Sequence, residues 1–479
     1  MSDNIPFLLE IKNFHGPAVN FRFSLNQTDS AAPFHDGGVG LALASYNPFN
    51  ADQVPTGGFA FIKSAMSHWK TALSIKKSSG IIAPDLQIFG DHIKIGDKVI
   101  YDGDILSFDG AGKISRVENI AQLPTPNTPT SENDRVINHD ASVKVGCIIS
   151  SADLVVEAYA AGAQLNSLFR VEDMFLGEKQ ILLRNYLVEK DPNALAGIKR
   201  FIQENFEAYF EALKTIPEPF ETYIRLLDIP MKDWPEQYLS EIRHTHAAIF
   251  NERGEPVSGG PLAMLEPELY QLQIDAILEA AERTGHVTPL FIGLPNVTNA
   301  PQVELLSAMV NCGKENAGTR ALKVGVYIHD ETTALSIDGA DARKIAPLIS
   351  AISMGASDMT ADVTGISRNN LAGNKQYAVT HGIDYNIYTK LAPEVEAVIA
   401  DRTMKWREFN PGIRLLCCSW HILGSMSEFC NMGYEVLGLP VENVSMIIGE
   451  LAKVRPSRDA RMAAQAITPN AHRAKHVPG

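Results

Sequence analysis

The stretch 143–170, VKVGCIISSADLVVEAYAAGAQLNSLFR, decides the fold of this chain. It begins with a short apolar run, continues as a helical segment of small residues through Ala158, and ends in a second apolar run, QLNSLF. Short apolar runs that alternate with amphipathic helical segments are typical of strands and helices in α/β proteins. The stretch therefore predicts one strand–helix–strand unit.

The same alternation continues to about residue 455. Such repetition is typical of a (β/α)₈ barrel or a doubly wound sheet, and in a barrel the functional groups lie at the carboxyl ends of the strands. A helix is predicted after Phe175. The further predicted strands are 223–227, 289–294, 323–328, 351–354, 413–417 and 434–437, and the further predicted helices are 192–213, 265–283, 392–402, 426–432 and 441–453.

The residues before this repeat differ in composition. They are rich in Gly, Asp and short β-type runs, with two or three strands predicted within 91–110 and a short helix within 65–77. The segment LPTPNTPTSEND at 123–134 contains three prolines and cannot form a core, so it predicts a linker. The predicted organisation is a first domain at 1–122, a linker at 123–141, a barrel at 142–455 and a solvated basic tail at 456–479.

Composition excludes several classes of protein. The chain has 42 Lys+Arg against 56 Asp+Glu and a formal net charge of −14, which argues against a nucleic-acid-binding protein. It has no run of 18 uncharged apolar residues and no signal-peptide profile at its start, so we expect no membrane association and a cytosolic location. The five cysteines include no C-x-x-C pair, which predicts reduced thiols.

Six stretches of the predicted barrel carry a family resemblance. They are the end of 151–175 (RVEDMF), 224–230 (IRLLDIP), 325–335 (GVYIHDETTAL), 354–360 (MGASDMT), 366–370 (ISRNN) and 416–430 (LCCSWHILGSMSEFC). Their order resembles that of the phosphoenolpyruvate-utilising family, which includes pyruvate phosphate dikinase, phosphoenolpyruvate synthase and enzyme I of the sugar phosphotransferase system. The resemblance implies a (β/α)₈ barrel. It also implies that Arg170, Arg225 and Arg368 bind phosphate, that Cys417 is catalytic and that Asp358 is a metal ligand.

The resemblance extends to the first domain. In that family a mobile domain carries the phosphoryl group on a histidine, and AMSHWKTALSIK at 65–76 resembles its motif, with His68 at the histidine position. The segment 96–104, GDKVIYDGD, resembles the segment that closes the same domain. Residues 1–122 are thereby expected to form a phosphohistidine swivelling domain.

The departures from the family pattern concern both ATP and pyruvate. No segment has the length or composition of the family's ATP-grasp domain, so a separate ATP-grasp subunit is expected to charge His68 from Mg·ATP. In the barrel, His329 replaces the magnesium-binding Glu, Ser357 replaces an Asn, and Ser419 replaces a Glu; a segment with two arginines falls at 259–262, which has none. Because an enolate needs a magnesium clamp of hard oxygen ligands, the loss of one carboxylate argues against pyruvate as the substrate.

This pattern resembles phenylphosphate synthase and related aryl phosphotransferases. The predicted function is a relay of phosphate through His68 to a small hydroxylic acceptor, a phenol, with three arginines binding the phosphoryl group and His329 as the base. Barrel-mediated dimers are implied by the same resemblance. Two alternatives are a non-catalytic regulatory or assembly subunit and a phosphoenolpyruvate-dependent protein phosphotransferase like enzyme I. Cys417 could instead be a packed thiol, and His329 could merely bond Asp330 or Glu331.

Overall fold

The computed structural model describes residues 7–10, 14–15, 19–24, 38–43, 53, 58–63, 73, 78–108, 113–116, 143–319, 321–336, 340–368 and 370–454. The predicted helix at 65–77, apart from Leu73, lies outside the described residues, and so does His68. The predicted linker at 123–141 and the basic tail at 456–479 also lie outside them.

The N-terminal region is built from short strands. The described strands are Phe7–Glu10 (β1), Phe14–His15 (β2), Val19–Phe23 (β3), Gly38–Leu43 (β4), Phe59–Ile62 (β5), Ser79–Ile82 (β6), Gln87–Ile88 (β7), His92–Ile95 (β8), Lys98–Tyr101 (β9), Ile105–Phe108 (β10) and Lys113–Arg116 (β11). One mixed sheet has the order β1-β11-β10-β3-β4-β5-β6-β2, and β7, β8 and β9 form a second, antiparallel sheet. Phenylalanines fill the core of the first sheet, where the rings of Phe21 and Phe59 stack with centroids 4.5 Å apart.

From Lys144 onward eight parallel strands close into a barrel, and the last strand pairs back with the first. The predicted α/β class is confirmed, and the barrel, rather than the doubly wound sheet, is the form that it takes. β14 begins and ends two residues before its predicted range, and β19 begins two residues and ends three residues after its own. The strands are Lys144–Ile148 (β12), Leu165–Arg170 (β13), Glu221–Arg225 (β14), Leu290–Leu294 (β15), Val324–Asp330 (β16), Ala351–Met354 (β17), Arg414–Cys417 (β18) and Val436–Pro440 (β19).

Helices surround the barrel and include the predicted helices 192–213 and 426–432 with the predicted bounds. Proline at the first helical position begins several of them, as expected for a residue that has no N–H to leave unsatisfied. The described helices are Val155–Ala160 (α1), Gln180–Glu189 (α2), Pro192–Leu213 (α3), Glu236–Thr245 (α4), Gly259–Leu265 (α5), Pro267–Thr284 (α6), Ala300–Ala317 (α7), Ala340–Ile345 (α8), Ala356–Thr364 (α9), Leu371–His381 (α10), Pro393–Phe409 (α11), His421–Gly424 (α12), Met426–Met432 (α13) and a helical segment at 444–454. No helix in this part of the chain is long and apolar enough to cross a membrane.

Alternation along the strands separates two sets of buried side chains. One set fills the inside of the barrel and the other packs between the strands and the helices, because successive side chains of a strand point to opposite faces. In β16, Tyr327 belongs to the inner set and Ile328 to the outer set. The inner set is Leu165, Tyr223, Phe291, Tyr327, Ala351, Leu416 and Val436.

Asp330 uses this alternation to fasten a helix to the barrel. Its fully buried carboxylate accepts hydrogen bonds of 2.9 Å from Nε of Arg402 and from Nε1 of Trp406, both on α11. Arg402 also donates to the carbonyl of Leu335, at 3.0 Å. A buried carboxylate that is satisfied in this way specifies one position of α11 against β16.

We expect Asp330→Ala to lower the free energy of unfolding by about 3–5 kcal/mol, since it leaves the Arg402 guanidinium buried and without its counter-ion. Asp401→Ala is the matched control, because Asp401 pairs with Lys405 at 2.7 Å on the surface and its side chain is 52% exposed. That loss should stay below about 1 kcal/mol. Urea unfolding followed by circular dichroism measures both, and equal losses would contradict the structural role of Asp330.

Candidate functional site

The predicted site residues of the barrel lie at or beyond the carboxyl ends of its strands. Arg170 ends β13, Arg225 ends β14, and His329 is the penultimate residue of β16. Asp358 lies in the first turn of α9, directly after β17, and Arg368 follows the same helix. Because the strands are parallel, these ends share one face of the barrel, which we call the mouth. His68 lies outside the described residues.

Arg225 is the most strongly paired cation of the mouth. It is buried and donates a hydrogen bond to Glu172, and its guanidinium also lies 3.7 Å from Oδ2 of Asp228 and 3.6 Å from Oε1 of Glu331. Burial alone would lower the pKa of Arg225, but these carboxylates raise it well above its usual value. The guanidinium is therefore permanently charged and held in one orientation.

His329 lies beneath this cluster and is only 3% exposed. Its Nδ1 is 3.3 Å from Oε1 of Glu331, and its Nε2 is 3.2 Å from the hydroxyl of Tyr327. Burial is the main cause that lowers the pKa of His329, and the charges of Arg225 and Arg170 lower it further. Both ring nitrogens thus have partners inside the barrel, and Glu331, not Asp330, is the carboxylate that His329 contacts.

Glu331 connects three elements of the mouth. Burial would raise its pKa, but the hydrogen bond with His329, the Arg225 charge and a 3.1 Å hydrogen bond from the backbone N–H of Asn296 lower it to about 2. Gly355 makes room for this side chain, since a Cβ there would lie 2.4 Å from Cγ of Glu331. Glu331 is consequently a fixed anion.

Arg170 differs from Arg225 in its surroundings. The buried Nε has no hydrogen-bond partner in either arginine, but no carboxylate of the described residues lies within ion-pair distance of Arg170, whose backbone N–H donates to Ser150 Oγ at 3.0 Å. Its charge acts on His329 and on Cys418. A guanidinium with unused donors fits an anionic ligand that brings its own oxygens.

Asp358 and Arg368 are exposed, on the side of the mouth formed by β17. Desolvation by the surrounding protein is the main cause that raises the pKa of the Asp358 carboxyl, and the charge of Glu331 raises it further. The charges of Arg368 and Arg225 lower this pKa. Asp358 and Glu331 are therefore close enough to repel each other.

The two adjacent cysteines at the end of β18 point to different places. Cys417 is fully buried and packs in the core between the barrel and its helices, and burial raises the pKa of its thiol well above the usual value. Cys418 belongs to the mouth: its Sγ donates to the carbonyl of Ser167 at 3.5 Å, and it interacts with Arg170 and Arg225. Burial raises the pKa of the Cys418 thiol to about 11, although both arginines lower it.

No functional role was predicted from the sequence for Glu331, Cys418 or Glu172, all of which lie at the mouth. Strand alternation contains a signal for two of them. Tyr327, His329 and Glu331 are spaced by two residues, as are Leu416 and Cys418, so each shares a face with a residue of the inner barrel. Glu172 follows β13 in a 3₁₀ turn, where no period applies, and only the fold brings it to Arg225.

These observations define an α/β barrel with paired and unpaired cations at its mouth, and the sequence comparisons identify its class. The family described as "PEP-utilising enzyme, PEP-binding domain" matches residues 128–413, more than half of the chain. This protein belongs to that family of phosphotransferases, whose members generally depend on magnesium.

The relatives with known activity are distant. The chain is 25% identical over 362 residues to the pyruvate, phosphate dikinase of Rickettsia conorii, covering 68% of this chain and 40% of that protein. It is 24% identical over 405 residues to the pyruvate, phosphate dikinase of Treponema pallidum, covering 74% and 44%. The chain thus spans about two fifths of the length of these relatives. Among solved structures, a malate synthase of Haloferax volcanii with magnesium and glyoxylate is similar at 11% identity and a TM-score of 0.35, covering 64% of this chain and 75% of that one.

We expect Arg170→Gln to weaken the binding of inorganic phosphate roughly tenfold or more, because charge-assisted hydrogen bonds each contribute about 1.5–3 kcal/mol. Isothermal titration calorimetry of the whole chain measures this. Arg283→Gln is the control, since that side chain is 63% exposed and pairs with Glu207. Absence of phosphate binding in the wild type, or equal affinities in all three proteins, would contradict the assignment of Arg170.

Proposed function

We propose that this chain is one subunit of an ATP-dependent, dikinase-like phosphotransferase. A separate ATP-grasp subunit phosphorylates His68, and the phosphoryl group then passes to a small hydroxylic acceptor, a phenol, at the barrel mouth. The observation that carries the proposal is Arg170, which has an unpartnered buried Nε and, among the described residues, no carboxylate within ion-pair distance, at the mouth of a barrel of this phosphotransferase family.

The arginines have different tasks in this proposal. Arg225 is fixed by carboxylates and orients the mouth, whereas Arg170 and Arg368 have no carboxylate partner within ion-pair distance among the described residues and can bind the phosphoryl oxygens. Phosphoryl transfer needs positioning and charge stabilisation more than covalent chemistry from the protein. A guanidinium that supplies several N–H groups in one plane suits the oxygens of the transferring group.

The charges of the mouth favour a neutral acceptor. Glu172, Asp228 and Glu331 surround Arg225, and Asp358 adds a further carboxyl group. These carboxylates would repel a carboxylate-bearing acceptor such as pyruvate, and Arg225, the guanidinium that lies among them, is already paired. A phenol has no such repulsion, which supports it over pyruvate as the acceptor.

The mouth offers a limited set of ligands for Mg²⁺. No group of three or more His, Cys, Asp or Glu side chains in the described part of the chain is arranged to hold a metal ion. Asp358 and Glu331 nevertheless repel each other, and Mg²⁺ is often held by one or two carboxylates with waters and phosphate oxygens as its other ligands. Asp358 would hold the ion, which would screen phosphoryl charge when bound, because the oxygens of Glu331 already contact Arg225, His329 and the N–H of Asn296. A second Mg²⁺ would bind together with ATP on the separate ATP-grasp subunit.

Incubation with Mg·ATP and an ATP-grasp partner protein should add one acid-labile phosphoryl group, about 80 Da, to the wild-type chain, since a phosphohistidine is a covalent intermediate of this transfer. His68→Ala should abolish the gain, as intact-mass spectrometry would show. His92→Gln is the matched control, because His92 lies in the same N-terminal region and pairs with Asp91.

The donor separates the proposal from its alternatives. Labelling of His68 by phosphoenolpyruvate alone would indicate a transferase like enzyme I. A chain that no donor labels would be a regulatory or assembly subunit, and the relay would then be wrong.

The adjacent cysteines give a second test of the same site. We expect Cys418→Ser to lower the rate of transfer from phosphorylated His68 to phenol, because the charges of both arginines act on the Cys418 thiol. Cys417→Ser should change mainly the stability, because that thiol packs in the core. Rapid-quench measurement of the transfer and thermal unfolding report the two effects. If Cys417→Ser instead lowers the transfer rate and Cys418→Ser does not, Cys417, which matches the catalytic cysteine of the family, is the catalytic residue.

A further inference from the structure

Three side chains form a hydrogen-bonded chain at the carboxyl ends of β17 and β18. The hydroxyl oxygens of Ser357 and Ser419 are 3.0 Å apart, and Ser419 Oγ is 2.7 Å from Nδ1 of His421. Ser357 directly precedes Asp358 and is 9% exposed, whereas His421 is fully buried. The chain therefore leads from the mouth into the protein.

The hydrogen bonds between these three side chains can run in only one direction. Nε2 of His421 is 2.7 Å from the carbonyl oxygen of Ile387, which can only accept, so Nε2 carries the proton. Burial lowers the pKa of His421 to about 4, which keeps the ring neutral and leaves Nδ1 as an acceptor. Ser419 donates its single proton to Nδ1, and Ser357 must then donate to Ser419.

This direction determines what the first residue of the chain can bind. Having given its only proton to Ser419, Ser357 Oγ offers lone pairs alone. A ligand that contacts it must donate a hydrogen bond, as a hydroxyl does and as a ketone or carboxylate oxygen does not. His329, by contrast, has both ring nitrogens in contact with protein side chains, those of Tyr327 and Glu331.

We propose that Ser357 accepts a hydrogen bond from the acceptor's hydroxyl and that the chain Ser357–Ser419–His421 receives the proton of that hydroxyl as the phosphoryl group is transferred. Ser357 is then a catalytic residue, and Ser419 and His421 are positioning residues that act through it. This inference rests on the proposed function, since it concerns the second half of the His68 relay.

The reaction balances in protons and electrons. The acceptor oxygen forms the new bond to phosphorus, the bond between phosphorus and the His68 nitrogen breaks, and its electron pair stays on that ring. The hydroxyl proton moves to Ser357, whose own proton moves to Ser419, and the proton of Ser419 moves to Nδ1 of His421. His421 then returns the proton through Ser419 and Ser357 to the mouth, where the ring of His68 takes it up, so the net change is one proton from hydroxyl to imidazole.

Arg368 couples this proton transfer to the phosphoryl group. After burial, its charge is the further cause that lowers the pKa of His421, and a phosphoryl group bound to Arg368 would offset that charge. Nδ1 would become more basic when the transfer takes place. The other side chains beside the ring are Thr360, whose Oγ1 is 3.2 Å from Nε2, and Tyr388, whose ring centroid is 6.1 Å away.

Two phosphoryl acceptors, phenol and 4-nitrophenolate, distinguish a role of Ser357 in proton transfer from a role in binding. We expect Ser357→Ala to slow transfer to phenol by about 10²-fold or more, the usual contribution of acid–base catalysis. At a pH at which 4-nitrophenol is ionised and phenol is not, transfer to 4-nitrophenolate should be nearly unchanged, because it has no proton to give. Rapid-quench measurement of the decay of phosphorylated His68 with each acceptor gives both rates.

Two further variants serve as controls. Ser419→Ala should reproduce the selective loss and Ser419→Thr, which keeps a hydroxyl, should restore transfer to phenol. Ser425→Ala removes another buried serine, whose Oγ accepts from the N–H of Leu391, and should leave the ratio of the two rates unchanged.

The failures of the two proposals are distinguishable by the labelling of His68. Wild-type chain that is never labelled contradicts the relay itself. If the wild-type chain is labelled and transfers to phenol, the relay stands. The proton chain alone is then overturned if Ser357→Ala slows transfer to both acceptors by the same factor, or to neither.

Discussion

The rest of the mouth depends on the buried ion pair between Arg225 and Glu172. A guanidinium at the end of a barrel strand is costly to bury, and Glu172, Asp228 and Glu331 together offset that cost. The cluster fixes the loops after β13, β14 and β16 relative to one another. Arg170, which lacks such partners among the described residues, then has a defined frame in which its unused donors are available to a ligand.

A second constraint is the strict alternation of strand β16. Asp330 points outward and fastens α11 through Arg402, while His329 and Glu331, on either side of it, point into the mouth. Three consecutive polar residues thus alternate between facing the mouth, where they contribute to the site, and facing the helices, where Asp330 stabilises the packing. A shift of one residue would exchange their roles, which makes register as important to the site as residue type.

The sequence predicted the α/β class, most of the barrel strands and two helices with their bounds, because short apolar runs and amphipathic periods are local signals. It also brought Arg170, Arg225 and His329 forward as candidates, through family motifs at strand ends. It predicted no role in the site for Glu331 or Cys418, which lie two positions after His329 and one position after Cys417. Motif matching assigns positions, but only the direction of each side chain decides which of two neighbours faces the mouth.

The sequence by itself determined the alternation of strands and helices, since periodicity is encoded locally, and through its family motifs it indicated a barrel with cationic residues at the strand ends. The tertiary structure alone decided which cations have carboxylate partners and which do not, because Arg225 meets carboxylates that are up to 106 residues distant in the chain (331 − 225). It also decided the direction of the hydrogen bonds from Ser357 to His421, which is imposed by the carbonyl of Ile387 on a separate loop. Charge balance and proton order are properties of contacts between distant segments, and no local pattern specifies them.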